Sequence, residues 1–191
     1  MTEQKEQQTP STFSRKKISN FFISRKKPIA LSVARASIMA ALVFVATFMV
    51  QIYNPATRGY LNFGDIMIFI SALTFGPTVG GFAGGIGSAL SDAVSGYGFY
   101  APFTLVIKGL EGATAGLISN RQRIWRDIIA VTVAGTVMVT GYFIAEFFPL
   151  QIGWAALAEV PGNISQIIVG AAIGIPIAIG LRRSLPKSWI T

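Results

Sequence analysis

Charged and amide side chains interrupt this apolar sequence at few positions, and two pairs of them have helical spacing. Lys108 and Glu111 are three residues apart, as are Asn163 and Gln166. Residues three apart lie on one face of a helix, so the members of each pair are expected to point the same way. A charge within apolar, membrane-length sequence is costly, which makes each of these ionisable residues a functional candidate. Lys108 and Glu111 offer ion pairing, all four side chains offer hydrogen bonding, and the Glu111 carboxylate can also bind a proton.

Other polar residues are expected near these two pairs. Asp92 closes the third apolar segment, and Glu146 closes the fifth. We predict one polar pocket that collects them, because their positions all fall at the same ends of the predicted helices. The predicted substrate-binding residues are Asn62, Asp92, Tyr97, Tyr100, Lys108, Glu111, Glu146, Asn163 and Gln166.

Each candidate also has a structural explanation. Lys108 and Glu111 are either ligand contacts or a structural ion pair, and Asp92 is either a ligand contact or a partner of Lys108. Asp65 opens the second apolar segment and is either a polar residue of the pocket or simply a helix N-cap, since an acid in the first turn complements the helix dipole. Glu146 and Glu159 can lie at the wet interface without cost. Tyr97, Tyr100 and Trp154 are either belt residues at the membrane surface or stacking platforms for a ring.

Composition excludes several kinds of chemistry. The 191 residues include no cysteine and no histidine, so the chain has no thiol nucleophile, and it lacks the commonest metal ligand and proton shuttle. It has no glycine-rich loop ending in Gly-Lys-Ser/Thr, which excludes ATP hydrolysis by that motif. We therefore expect a binding or transport protein, not an enzyme, with no cofactor and no metal.

The distribution of charge indicates a membrane protein. Apolar residues make up 52% of the chain and charged residues 13%, and the apolar runs are long enough to cross a hydrocarbon core roughly 30 Å thick. Fourteen of the 16 basic residues fall at 5–35, 121–126 and 182–187, beside apolar runs. This pattern is typical of a positive-inside bias. It explains the net charge of +8 better than nucleic-acid binding does.

We predict an all-α membrane protein, a bundle of six transmembrane helices with cytoplasmic N- and C-termini, in the plasma membrane. The second predicted helix is only about 13 residues or roughly 20 Å long, so it and the third are either two crossings or a re-entrant hairpin. On this topology the predicted pocket opens outward. The helices are expected near 29–52, 63–75, 78–95, 102–118, 127–148 and 161–182. We expect a basic, unfolded cytoplasmic tail at 1–28, a membrane domain at 29–185 and a short cytoplasmic C-terminus at 186–191.

Small residues recur at every fourth position on several predicted helices, a spacing that lets helices approach closely. We expect most of them to pack the bundle. Ala36 and Ala40 either do the same or offer a smooth face to another membrane protein. The other sets are Gly80, Gly84 and Ser88, then Gly112 and Gly116, and Gly170 and Gly174.

Several motifs together resemble the substrate-binding S components of energy-coupling factor (ECF) vitamin transporters. The chain is most similar to the riboflavin-type S-component family, whose members include transporters for hydroxymethylpyrimidine, a thiamine precursor, and for pyridoxine. The resemblance covers about residues 30 to 185. The motifs are Asn62-Phe63-Gly64-Asp65, Leu73-Thr74-Phe75-Gly76-Pro77, the run from Gly84 to Asp92, Ser95-Gly96-Tyr97, the run from Tyr100 to Thr104, the run from Ile107 to Gly112, and Pro161-Gly162-Asn163 with Gln166.

The resemblance implies a six-helix bundle that binds one vitamin from outside, capped by the loop after the first helix. It also implies two kinds of partner, a transmembrane ECF coupling protein and two cytoplasmic ABC-type ATPases that supply ATP hydrolysis. In this family an Ala-x-x-x-Ala pattern on the first helix contacts the coupling protein, which maps onto Ala36 and Ala40. The basic tail is not part of the family pattern.

The substrate is left open by these motifs. The outer half carries five acidic and two basic residues, a net charge of −3 if all are ionised, so a phosphate ester or a dicarboxylate would be repelled. Neutral or weakly basic rings fit better, which leaves hydroxymethylpyrimidine, pyridoxine and riboflavin. The alternative functions are a solitary secondary transporter, in which Glu111 or Asp92 carries a coupling proton, and a structural membrane scaffold.

Overall fold

The structure is a computed structural model that describes residues 29–120, 123–186 and 189. The tail predicted at 1–28, and most of the C-terminus predicted at 186–191, lie outside the described residues. The elements in chain order are α1 (Ile29–Met49), β1 (Ile52–Asn54), β2 (Gly59–Leu61), α2 (Gly64–Phe75), α3 (Pro77–Val94), α4 (Ala101–Ile118), α5 (Ile124–Phe147), a 3-10 helix (Gly153–Ala158) and α6 (Val160–Ser184).

The six predicted helical segments are all helices in the described part of the chain. Among the residues that the structure describes, three segments could cross a membrane by length and apolar composition, namely Ala30–Met49, Ile124–Phe147 and Gly153–Ser184. Helix α2 has 12 residues and is therefore about 18 Å long, too short to cross a hydrocarbon core alone. The chain is thus predominantly helical, with helices of membrane-spanning length and one short helix among them.

A β-hairpin replaces the loop predicted after the first helix. The sequence predicted a helix as far as residue 52, but α1 ends at Met49, and β1 pairs with β2 in antiparallel register with Tyr53 opposite Tyr60. Asn54 stabilises the turn because its Oδ1 accepts a hydrogen bond from the Ala56 amide at 3.1 Å, as in an Asx turn. Arg58 has a φ of 59° there. We call residues 52–61 the hairpin.

Helices α3 and α4 meet through their backbones. A Cβ added at Gly80 would lie 2.7 Å from the Gly112 carbonyl oxygen, and one added at Gly84 would lie 2.5 Å from the Lys108 carbonyl oxygen. Neither position has room for a side chain. The prediction that this small-residue spacing packs the bundle is confirmed, and the close contact fixes Lys108 relative to α3.

The apolar core surrounds α2. Phe69 and Leu73 of α2 are fully buried among small residues of α4, α5 and α6. Gly170 and Gly174 let α6 approach, since a Cβ at Gly170 would lie 2.9 Å from the Phe69 ring. This core holds α2 in the middle of the bundle. Its first turn carries Asp65, which lies beside Lys108 of α4.

Candidate functional site

A polar cavity lies under the hairpin, at the end of the bundle where α3 ends and α4 and α6 begin. Its volume is about 30 Å³. Every α-helix except α2 contributes at least one lining residue, and the 3-10 helix ends next to one. The lining residues are Thr47, Gly59, Tyr60, Asn62, Ser88, Asp92, Tyr100, Thr104, Lys108, Tyr142, Glu146, Glu159, Asn163 and Gln166.

The structure brings most of the predicted substrate-binding residues together at this cavity. Glu111 and Tyr97 are not among the lining residues. Glu111 is completely buried beside Lys108, and Tyr97 packs against Tyr60 with 4.5 Å between ring centroids. The predicted residues that do line the cavity are Asn62, Asp92, Tyr100, Lys108, Glu146, Asn163 and Gln166.

Lys108 is held by two carboxylates. Its Nζ donates a hydrogen bond to Oδ1 of Asp65 and lies 3.1 Å from Oε2 of Glu111. All three side chains are buried, where an ion pair is stable only if its members stay together. Of the two explanations for Lys108 and Glu111, the structure shows the ion pair. Asp65 is thus a partner of Lys108. At the start of α2 it is Asn62 that bonds the backbone, since its Oδ1 accepts a hydrogen bond from the Gly64 amide at 2.8 Å.

Asp92 binds the hairpin. The Tyr60 hydroxyl donates a hydrogen bond of 2.5 Å to Asp92 Oδ1, and the described residues show no ion pair between Asp92 and Lys108. Burial, together with the negative charge of Asp92, raises the pKa of Tyr60 above its ordinary value. The phenol therefore stays protonated and remains a donor to Asp92. This hydrogen bond joins β2 to the end of α3.

Two further carboxylates, Glu146 and Glu159, line the cavity near Tyr100. The Tyr100 hydroxyl lies 3.2 Å from Glu146 Oε1 and 3.0 Å from the Thr57 carbonyl oxygen, while the Thr57 hydroxyl donates to Glu159 Oε1. The exposed fractions of Glu146 and Glu159 are 2% and 4%. The alternative that these residues lie at a wet interface is therefore wrong, because both are enclosed by the hairpin and the helix ends.

The amides on α6 form a chain of hydrogen bonds to the residue that follows the hairpin. Gln166 Nε2 donates to Asn163 Oδ1 at 2.9 Å, and Gln166 Oε1 accepts from the Asn62 amide at 3.0 Å. The predicted common face of Asn163 and Gln166 is confirmed by this contact. Both amides lie at the cavity, so they orient the segment that follows β2.

The predicted partner residues on α1 differ in burial. Ala40 is 7% exposed and packs against α3, where a Cβ at Gly87 would lie 2.6 Å from the Ala40 carbonyl oxygen. Ala36 is half-buried. Burial of Ala40 argues against a direct partner contact there, because its methyl group is used within the bundle. The small residues that α1 does expose are Ala30, Ala34, Ser37 and Ala41.

Several cavity residues were not predicted from the sequence. The hydroxyls of Thr47 and Ser88 are buried, line the cavity and have no hydrogen-bond partner among the described residues. Tyr142 lines it as well, with its hydroxyl 3.2 Å from Thr104 Oγ1 and its ring 5.8 Å from Lys108 Nζ. Serine and threonine hydroxyls in helices often bond the backbone of their own helix. Nothing in the sequence therefore distinguishes Thr47 and Ser88, which line the cavity, from hydroxyl residues that do not.

The arrangement of acids, amides and hydroxyls is suited to hydrogen bonding of a small polar molecule. The sequence family described as "ECF-type riboflavin transporter, S component" matches residues 30–183. The chain belongs to this family. It is thus a member of a family of transporter subunits in the membrane, and this is not an enzyme family.

The chain is also similar to individual proteins over most of its length. The chain is 49% identical to a Pyrococcus woesei protein called "Uncharacterized protein in gap 3'region" over 69% of this chain and 88% of that protein. It is 33% identical to "Thiamine precursor transporter HmpT" of Lactococcus lactis over 70% of this chain and 77% of that protein. A solved structure titled "Structure and mechanism of the S component of a bacterial ECF transporter" has the same fold, with a TM-score of 0.54 and 21% identity over 82% of this chain and 95% of that one.

Proposed function

We propose that the chain is the high-affinity substrate-binding subunit of an ECF-type ABC importer in the plasma membrane. Its substrate is a water-soluble vitamin or vitamin precursor of the hydroxymethylpyrimidine, pyridoxine or riboflavin kind. The observation that carries the proposal is the polar cavity under the hairpin in a chain of the S-component family. The relationship to a protein named as a thiamine precursor transporter supports the substrate range.

The proposed topology places the hairpin outside and both termini in the cytoplasm, with six membrane-embedded helices. The basic residues Arg123, Arg126, Arg182 and Arg183 lie where α5 begins and α6 ends, which is the end of the bundle opposite the cavity. Arg182 binds Asp127 there at 2.8 Å. A basic end is favoured on the cytoplasmic side. The cavity then faces the outside.

Substrate entry is proposed to require movement of the hairpin. Ligand pockets usually measure about 300 to 1,000 Å³, so a cavity of about 30 Å³ is too small for a ring compound. Several hydrogen bonds hold the hairpin and the following residue down, among them those from Tyr60 to Asp92, from Thr57 to Glu159, and from the Asn62 amide to Gln166. A second cavity, of about 460 Å³, borders the hairpin turn at Ala56–Arg58. We infer that the substrate enters past this turn.

The proposed partners are a transmembrane ECF coupling protein and two ABC-type ATPases. The chain has no Gly-Lys-Ser/Thr loop and would depend on these partners for ATP hydrolysis. The exposed face of α1 that includes Ala34, Ser37 and Ala41 offers a smooth surface for a partner helix. Half-buried Ala36 lies at the border of that face.

Binding and uptake measured separately test the proposal. Calorimetry on the purified protein should show tight binding of one compound among hydroxymethylpyrimidine, pyridoxine and riboflavin. Liposomes should accumulate that compound only when the coupling protein, the ATPases and ATP are present. Uptake by liposomes that contain this chain alone, driven by a proton gradient, would instead establish a solitary secondary transporter.

A further inference from the structure

We propose that Glu146 and Glu159 together bind an amidine-type group of the substrate, a ring nitrogen with an adjacent amino group. The site would then select aminated heterocycles over rings that carry only hydroxyl groups. This inference deepens the proposed function and depends on it. It follows from the charges at the cavity, from the hydrogen bonds of the two carboxylates and from the packing of the hairpin above them.

The cavity has more negative than positive charge. Among the described residues, Lys108 is the only basic side chain that lines it, and two carboxylates that are not in the lining, Asp65 and Glu111, already bind Lys108. Neither Glu146 nor Glu159 forms an ion pair with any lysine or arginine in the part of the chain that the structure describes. Buried carboxylates without a counter-charge are costly. A substrate with a positive charge would supply it.

Hydrogen bonding at Glu146 is incomplete. Its Oε1 accepts a hydrogen bond from the Tyr100 hydroxyl. Its Oε2 is buried without a hydrogen-bond partner among the described residues. At Glu159, Oε1 accepts from Thr57. An ionised carboxylate can only accept hydrogen bonds. The complementary substrate group is therefore a donor, and a charged donor with two N–H groups makes the strongest contact of this kind.

The hairpin backbone lies directly against Glu159 and close to the Tyr100 hydroxyl that bonds Glu146. A Cβ added at Gly59 would lie 2.7 Å from Glu159 Oε1 and 3.4 Å from the Tyr100 hydroxyl. Position 59 therefore has no room for a side chain between the hairpin and Glu159. Because the closed hairpin keeps water away, a charge-assisted contact beneath it is stronger than it would be in water. A ring that has only hydroxyl donors would bring no charge and would leave both carboxylates uncompensated.

Two matched probes test this inference on the full-length protein in detergent. The first is hydroxymethylpyrimidine with its amino group, and the second is the same pyrimidine with hydrogen in place of the amino group. We expect the wild-type protein to bind the amino compound about tenfold to a hundredfold more tightly, the range for hydrogen bonds to a charged group. Glu146→Gln and Glu159→Gln should each reduce that preference, and Asp127→Asn, which removes an acidic residue at the other end of the bundle, should preserve it.

The outcomes separate the two proposals. Equal affinity of the wild-type protein for both probes would overturn the inference, as would an unchanged preference in both glutamine variants. If the wild-type protein binds pyridoxine or riboflavin tightly and prefers neither pyrimidine, the proposed function stands and the inference fails. If it binds none of these compounds, both fail. The wild-type comparison decides the question even if a glutamine variant does not fold.

Discussion

Asp65, in the first turn of α2, accepts a hydrogen bond from Lys108 of α4, and this joins the shortest helix of the bundle to the wall of the cavity. Glu111 lies on the other side of the same ammonium group. Two carboxylates thus share one positive charge in the interior. Because α3 contacts the α4 backbone at Lys108 through Gly84, the contacts of Asp65, Glu111 and Gly84 all depend on position 108.

Replacing Lys108 by Met should destabilise the protein strongly. The substitution preserves most of the side-chain volume but leaves Asp65 and Glu111 buried without a counter-charge, a loss of about 3 to 5 kcal/mol for a broken buried pair. Thermal unfolding in detergent measures it. The triple variant with Asp65→Asn and Glu111→Gln should recover part of the stability, because it removes both charges. A single Lys108→Met variant as stable as the wild type would show that the ion pair has no structural role.

Replacing Tyr60 by Phe should accelerate substrate release. The change removes only the hydroxyl that donates to Asp92, a bond to a charged group that contributes about 1.5 to 3 kcal/mol, and it keeps the ring that packs against Tyr97. Stopped-flow measurement of dissociation tests this. Tyr53→Phe is the matched control, since Tyr53 pairs with Tyr60 in the hairpin but is 57% exposed. Equal dissociation rates for both variants would contradict a holding role for Tyr60.

The contact between α3 and α4 should not tolerate a side chain at Gly84. A Cβ there would lie 2.5 Å from the Lys108 carbonyl oxygen, and the backbone of α4 cannot move without shifting Lys108. Gly84→Ala should therefore cost about 1 to 3 kcal/mol of stability, as for other overpacked sites, and reduce substrate affinity as well. Gly98→Ala is the control, because nothing lies within 4 Å of an added Cβ at that exposed position. Thermal unfolding measures the stability of both variants, and calorimetry measures their substrate affinity.

The parts of the fold that were predictable depend on local sequence. The long apolar runs of α1, α5 and α6 specify helices by themselves, and the three-residue spacing of Asn163 and Gln166 places both amides on one helix face. Both expectations need only the geometry of a single helix. The polar residues at the helix ends were identified as neighbours for a different reason, because their positions fall at the same ends of the predicted helices.

The parts that were not predictable depend on tertiary contacts. Strands of three residues, such as Ile52–Asn54, form here because Tyr60 binds Asp92 and Thr57 binds Glu159, and neither contact has a signal in the local sequence. Asp65 has the position of a helix cap, and only the fold shows Lys108 beside it. On α1, small residues occur on two faces, so the sequence alone did not distinguish buried Ala40 from exposed Ala34 and Ala41.

The last prediction concerns this difference between the two faces of α1. Ala34→Trp and Ala41→Trp add bulk to the exposed face and should hold a partner helix away, while the cavity at the other side of the bundle stays intact. Ala40→Trp adds the same bulk where Ala40 is 7% exposed and packed against α3, so it should destabilise the subunit by overpacking.

Copurification, substrate affinity and unfolding temperature of these three variants distinguish a partner surface from a packing surface. Copurification with the coupling protein should be lost in the Ala34 and Ala41 variants, whereas their substrate affinity and unfolding temperature in detergent should match the wild type. The Ala40 variant should instead unfold at a lower temperature before any partner is added. If the Ala34 and Ala41 variants copurify normally and only a change at Ala36 or Ala40 abolishes the complex, the partner contacts the Ala36 side of α1. The bundle would then have to open between α1 and α3 to admit the partner, because Ala40 is enclosed there in the closed structure.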